Sequence, residues 1–253
     1  MAITVINGAS GTVNNSPIFS ASVDDGIDIQ QSAVLNGSRM RPVSFLGVAK
    51  GSASVSAPPN APIVATAIAQ MVNSPTPITV SAQEVGGNIG VSLNDALCTS
   101  LALKVDEGEV TIDLSFEGAD VVPATVAATA PTPVAIVRGQ DVTLSGAITG
   151  CALDLNVSVT TSYEKKTCVG SAFPSAAIGG VYEVKGSTSF LAAMGSSALT
   201  PGGDLVIAVG TAFTLTIRNI ILKTVTEIGS TGMMKKVEFT GIAGAAEDAF
   251  GFT

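Results

Sequence analysis

Glu109-Val110-Thr111-Ile112-Asp113-Leu114-Ser115-Phe116 alternates without a fault, with Val110, Ile112, Leu114 and Phe116 on one side and Glu109, Thr111, Asp113 and Ser115 on the other. Successive side chains of an extended chain point to opposite faces, so this stretch is a strand with one dry and one wet face. Leu153, Leu155, Val157 and Val159 repeat the pattern against Asp154, Asn156, Ser158 and Thr160, and Phe213, Leu215 and Ile217 repeat it against Thr214 and Thr216. Turn-forming residues punctuate such runs: Asn7-Gly8, Asp25-Gly26, Asn36-Gly37, Gly86-Gly87-Asn88 and Gly202-Gly203-Asp204. Connections this short join antiparallel neighbours. The spacing therefore predicts a mainly β chain built from antiparallel strands.

Helical spacing is scarce. Residues 61–72 place Ile63, Ala67, Ile68 and Met71 on one face, with Pro62 suited to the first turn. Residues 187–197, with Phe190, Leu191 and Met194, are a second candidate. Residues 121–133, rich in Ala and Thr and holding Pro123, Pro131 and Pro133, read as a semi-extended linker. The resulting division is a first β domain over 1–122, a Pro/Ala/Thr linker over 123–133 and a second β domain over 134–253. Each is expected to be a β-sandwich or barrel-like unit with one short flanking helix.

The two sides repeat. Lys50-Gly51-Ser52-Ala53-Ser54 matches Lys185-Gly186-Ser187-Thr188-Ser189, and Phe116-Glu117-Gly118 matches Phe239-Thr240-Gly241, in the same order and at similar separations. A diverged tandem duplication accounts for this.

Composition narrows the function. Hydrophobic residues make up 46% and charged residues only 13%, where a monomer carries about 25% charged, so much of the surface is expected to be covered by a partner. The apolar runs fall short of the roughly 20 residues that a membrane-spanning helix requires. No cationic segment followed by an apolar core opens the chain, so no signal peptide is expected.

The net charge is −8 and the twelve basic residues are dispersed, which gives no grip on a phosphate backbone. Histidine is absent, removing the commonest general base and metal ligand. Three cysteines, Cys98, Cys151 and Cys168, show no CxxC spacing and fit core-filling roles better than a disulfide framework or zinc site.

Phosphate-binding glycine motifs, GxSxG and HExxH are all missing. Ser162 and Lys165 satisfy SxxK, but the serine ends a strand where that chemistry needs a helix start. Asp24, Asp25 and Asp28 lack the calcium-loop spacing and read as an acidic hairpin tip, as do Asp106, Glu107 and Glu109 around Gly108. No catalytic, metal or cofactor residue is expected, and the chain is not expected to be an enzyme.

A Lys-Gly-Ser strand, one short helix after it and a closing strand ending in Phe-x-Gly, each occurring twice, resemble the major tail tube proteins of long-tailed bacteriophages. The resemblance implies a virion protein, assembled in the host cytoplasm and located in the tail. Its two sandwiches would join their sheets to those of neighbours in a trimeric, pseudo-sixfold ring. Loops would reach the next ring, and other tail proteins would meet the tube ends. DNA would pass through without specific binding, repelled by carboxylates of which Glu109 and Asp113 are candidates for the lumen lining. Two other classes share the composition: a capsid decoration or tail accessory protein, and a ligand-binding β-sandwich, the latter disfavoured by the absence of Trp and the presence of only Tyr163 and Tyr182.

Overall fold

Alternation turns into pairing throughout the chain, and every strand pair among the described residues is antiparallel. The computed structural model describes residues 11–36, 39–72, 76–84, 90–106, 108–124, 131–166, 176–191, 198–229, 232–243 and 249–253. The first half holds β1 (Gly11–Val13), β2 (Ser16–Pro17), β3 (Ser20–Asn36), β4 (Arg39–Ala57), α1 (Pro62–Val72), β5 (Ile78–Glu84), β6 (Gly90–Asp106), β7 (Glu109–Gly118) and β8 (Asp120–Pro123). The second half begins with a 3-10 turn at Gly139–Asp141, followed by β9 (Val142–Gly146), β10 (Ile148–Thr149), β11 (Ala152–Lys166) and β12 (Ala176–Leu191). It closes with β13 (Ala198–Leu199), β14 (Leu205–Val209), β15 (Phe213–Ile217), β16 (Ile221–Gly229), β17 (Gly232–Gly241) and β18 (Phe250–Phe252). The protein is mainly β.

One main sheet runs the length of the molecule in the order β3-β4-β7-β6-β11-β12-β17-β16. The dry side of β7, Val110, Ile112, Leu114 and Phe116, is buried, as the alternation requires. A second layer covers this side. In the first half it is β1-β5-β6-β8, with β2 beside β1, because β6 bends and its N-terminal part pairs with β5 and β8. In the second half it is β9-β14-β15-β18. The layers touch directly: a Cβ added at Gly118 would lie 2.5 Å from Cδ1 of Leu93, and one added at Gly241 would lie 2.6 Å from Cγ2 of Ile217. The Phe-x-Gly glycines are thus places where a second-layer side chain stands on the main sheet.

The two halves repeat element by element. β3-β4-β7-β6 and β11-β12-β17-β16 have the same strand order, each with a hairpin first and a second hairpin laid against its second strand. Each first hairpin carries the same irregularity, at Ile27/Ile29 in one and Thr161/Tyr163 in the other. Asp95 and Asn219, at equivalent positions, both adopt left-handed φ, 50° and 49°. Beside them Ala119 N–H donates to Asn94 O at 2.9 Å, and Ile242 N–H to Arg218 O at 3.0 Å. Asp106 pairs with Glu109 and Gly229 with Gly232 across two-residue hairpin turns, equally far from Phe116 and Phe239. The halves are not separate sheets, however, since β6 pairs with β11 over Ser100↔Thr160 to Asp106↔Asp154.

Residues 62–72 form the helix that the spacing predicts over 61–72. α1 starts with Pro62, where the missing N–H costs nothing, and buries Ile63, Val64, Ala67, Ile68 and Gln70. Gln70 ties the helix to the chain around it: Nε2 donates to Thr76 O at 2.6 Å and Ala96 O at 3.1 Å, and Oε1 accepts from Cys98 N–H at 3.1 Å. Gln70→Leu would leave the buried Ala96 carbonyl and Cys98 N–H unpaired, each costing about 1–3 kcal/mol. We expect an overall loss of about 2–4 kcal/mol, measured by urea denaturation.

Several expectations change. Residues 187–191 lie in β12, where Phe190 is buried, so strand pairing with β11 and β17 overrides the helical spacing; residues 192–197 lie outside the described residues. Asp25-Gly26 is no turn and Asp24 no hairpin tip, because Asp24 pairs with Ser52, Asp25 with Gly51 and Gly26 with Lys50 in mid-strand. Asp28 falls at the irregularity of the same strand. Residues 121–123, at the start of the expected linker, pair with β6 as β8. Cys98 is buried and Cys151 exposed, which corrects the core-filling role for Cys151; Cys168 lies outside the described residues, as do Asn7-Gly8, Gly37, Gly86-Gly87-Asn88 and Glu107. Burial pushes the Cys98 thiol up to about 12, so it is an inert hydrophobe.

Candidate functional site

The side of the main sheet that faces away from the second layer is polar over most of its width, with Ile221 and Val225 exposed on it at the β16 edge. Alternation places Ser52, Ser54 and Ser56 of β4 there, Asn156, Ser158 and Thr160 of β11, and Ser187 and Ser189 of β12. Among these small residues stand carboxylates: Asp24, Asp106, Glu109, Asp113, Glu117, Asp154, Glu183, Glu227 and Glu238. Among the described side chains the amines sharing the face are fewer: Lys104, Lys185, Lys223 and Lys236. The face therefore carries net negative charge, and its shallow side chains leave it flat.

Glu109 and Asp113, picked out by alternation, both lie on this face, four residues apart on β7. Their surroundings differ. Lys104 on β6 donates to Asp113 Oδ2 at 2.5 Å, whereas Glu109 sits at the β6–β7 hairpin, exposed, with its backbone bridged to Arg138. Partial burial pushes the Asp113 carboxyl up, but hydrogen bonds from Lys104 and Ser56 and the ammonium charge outweigh it, so its pKa lies below the ordinary value. Other pairs on the face are Lys185–Glu183 at 2.7 Å and Lys223–Glu238 at 3.4 Å.

A lowered carboxylate pKa contributes stability that is present above the unfolded value of about 4 and is lost as pH falls through the folded value. Both side chains of the Lys104–Asp113 pair are more than a third exposed, which limits its worth to about 1 kcal/mol or less. We expect Asp113→Asn to lower stability slightly at pH 7 and by less at pH 3. Denaturant midpoints at the two pH values check this.

The main sheet ends in two open edges. β3 has no partner beyond β4 and β16 none beyond β17 among the described residues. Apolar side chains are exposed on and beside β16: Ile221 at 59%, Val225 at 39%, Ile228 at 81% and Met233 of β17 at 47%. An open edge with exposed apolar residues invites a further strand. The β6·β11 junction shows what such an addition looks like in this fold, because it joins the fourth strand of one repeat to the first strand of the next.

Both first hairpins outgrow the sheet. Beyond Gly26 and Lys50, and beyond Thr161 and Tyr182, their strands pair only with each other among the described residues. β3 and β11 lie four antiparallel steps apart and run the same way, so both arms leave from the same end. The short β6–β7 and β16–β17 turns lie at the other end. The molecule is therefore polar along its strands.

No group of three or more metal-ligating side chains occurs among the described residues. A groove of about 490 Å³ between the β6–β7 hairpin and residues 139–155 has Cys151 and Asp154 as its ionisable lining side chains. No helix among the described residues is long and apolar enough to cross a membrane. Comparison with known proteins gives no match, either to a protein-family model or to a curated sequence.

Proposed function

We propose that the chain is a structural subunit, not an enzyme, that assembles with copies of itself into rings. On this reading stacked rings form a phage-type tail tube, a conduit for DNA with a negatively charged lumen. The β6·β11 junction carries the reading. Two four-strand repeats meet there edge to edge within one chain, and the same two kinds of edge, β3 and β16, are left open at the ends. A contact between unlike edges is head-to-tail and closes into a ring when its rotation allows. The internal junction supplies one such rotation already used.

Transferred by the repeat, the internal register sets Val225 of one copy opposite Asp24 of the next and Glu227 opposite Ser22. Three chains, the number the tail tube resemblance implies, would place six repeats around a pseudo-sixfold axis, with the two repeats serving as tandem domains. The flat acidic face would line the lumen. Carboxylates in excess over amines repel phosphates, and the absence of a basic cluster avoids the counterion-release binding that would arrest a passing duplex. The paired arms at one end support axial stacking, with other tail proteins at the tube ends and the virion tail as the location.

Negative-stain electron microscopy over a concentration series, with light scattering for mass, tests the proposal. Rings or hollow tubes whose mass is a multiple of three chains are expected, with no retention of duplex DNA at low salt. A monomer at every concentration would overturn it and favour a capsid decoration or ligand-binding role.

A further inference from the structure

We propose that Phe19 of one copy packs on Ile228 of the neighbouring copy and anchors the β16·β3 junction from the side that faces the second layer. This inference rests on the ring reading and adds to it the side chains that hold the two edges together. Its template lies inside the chain. On that side of the β6·β11 junction, Val105 stands opposite Leu155. Leu153 comes just before, at the irregularity between Ala152 and Asp154 where β11 begins. Val105, Leu153 and Leu155 line one groove of about 490 Å³. Leu155 is buried while Leu153 stays 39% exposed, so the trio fills this corner only in part.

Register carries the trio to the open edges. Ala53 and Gly186 both pair with the Phe of a Phe-x-Gly, which aligns Ser56 with Ser189. Ser20 pairs with Ser56 as Asp154 pairs with Ser189, and just ahead of β3 Phe19 N–H donates to Ser56 O at 2.7 Å. Phe19 thus holds the place of Leu153, and Ala21 that of Leu155. On β16 the pairing of Gly229 with Gly232 answers that of Asp106 with Glu109, so Ile228 holds the place of Val105. Ile228 of one copy then faces Ala21 of the next, with Phe19 beside it. The sizes are complementary: Phe19 and Ile228 are larger than their internal counterparts, and Ala21 is smaller and leaves room for the phenyl ring. In the single chain both large side chains are bare, Phe19 at 58% and Ile228 at 81%. Their neighbours behave differently. Leu101 and Leu103, buried in the first repeat, are answered by Thr224 and Thr226, both exposed. β16 gives up its apolar side chains where water reaches this side, yet keeps one at Ile228. An aromatic ring beside a β-branched side chain makes a favourable cross-strand pair. Within one chain Phe19 and Ile228 belong to opposite edges of the sheet, seven strand spacings or roughly 34 Å apart. The occupant is therefore a second copy.

Assembly of the full-length protein, followed by light scattering over a concentration series, tests the contact. Asp24→Cys with Val225→Cys, in protein carrying Cys151→Ser and Cys168→Ser and oxidised mildly, reports the strand edges separately as a ladder of covalent oligomers. Phe19→Ala and Ile228→Ser are each expected to raise the concentration needed for assembly at least about tenfold, and Ile228→Ser to leave the melting temperature of the unassembled chain unchanged. The double variant should be little worse than either alone, because the two side chains share one contact. Ala21→Leu, which takes the space of the phenyl ring, is expected to impair assembly as much. Adding Phe19→Leu and Ile228→Val to it rebuilds the internal trio and should restore assembly. A 24/225 ladder with unaltered assembly of Phe19→Ala and Ile228→Ser overturns the inference and leaves the ring intact. Effects of the two that simply multiply, or a triple variant no better than Ala21→Leu, overturn it in the same way. No assembly of the wild type and no 24/225 ladder overturn the ring reading and the inference with it.

Discussion

Proline at Thr224 and, in a separate variant, proline at Val225 will give one folded protein that no longer assembles and one protein that is destabilised. Adjacent residues of a strand aim their N–H groups to opposite sides. On one side of β16 lies β17, paired from Ile221↔Thr240 to Gly229↔Gly232; the other side is open. The proline that faces β17 removes a ladder bond and crowds a paired neighbour, at about 1–3 kcal/mol. The proline that faces outward removes nothing the isolated chain uses, because edge strands tolerate it there. It does remove a donor that an incoming β3 requires and puts a ring in its way. A loss of about 1.4 kcal/mol per junction is tenfold in affinity and recurs at every junction of a ring. Far-ultraviolet circular dichroism and thermal melting report the fold, and light scattering reports assembly. If both variants assemble like the wild type, β16 is not the contact.

Gly186→Val will be the most damaging single change in the main sheet. Gly186 lies in β12 opposite Phe239. A Cβ there would fall 2.2 Å from Cζ of Phe239, 2.4 Å from Cε2 and 2.7 Å from the carbonyl oxygen of Asn156. The ring has no room to retreat, because Phe239 is buried in the core, and the carbonyl belongs to the β11 ladder. Overpacking of this kind costs about 3 kcal/mol or more, which in a chain of this length lowers the melting temperature by roughly 6–12 °C. The equivalent position of the first repeat offers a control. Ala53 pairs with Phe116 and already carries a Cβ, so Ala53→Gly should cost only about 1 kcal/mol.

That comparison also shows how far the sequence could be read. The match of Lys50-Gly51-Ser52 to Lys185-Gly186-Ser187 identified the right strands but set them two residues out of step, since Gly186 answers Ala53 and not Gly51. Runs of Gly, Ser and Ala look alike under a two-residue slip, and such a slip keeps every side chain on its own face. The Phe-x-Gly match held because a tertiary contact enforces it: Leu93 and Ile217 need the space above Gly118 and Gly241.

Local signals failed where a long ladder opposed them. Asp25-Gly26 has the chemistry of a turn, yet it sits within a hairpin paired from Ser20↔Ser56 to Asn36↔Arg39, and the pairing prevails. Phe190 and Leu191 fit either period; burial against β17 decides for the strand. Of the candidate site, the wet face bearing Glu109 and Asp113 was legible, because alternation is local information. The open edges were not, because which strand lies beside which depends on non-local pairing.

The most direct measurement is an image reconstruction of the assembled full-length protein at a resolution that resolves strands. The account predicts β16 of each copy beside β3 of the next, antiparallel, with Val225 opposite Asp24 and the acidic sheet face turned to a hollow axis. Particles whose β3 and β16 edges remain open to solvent, or a protein that stays monomeric at every concentration tried, would contradict it.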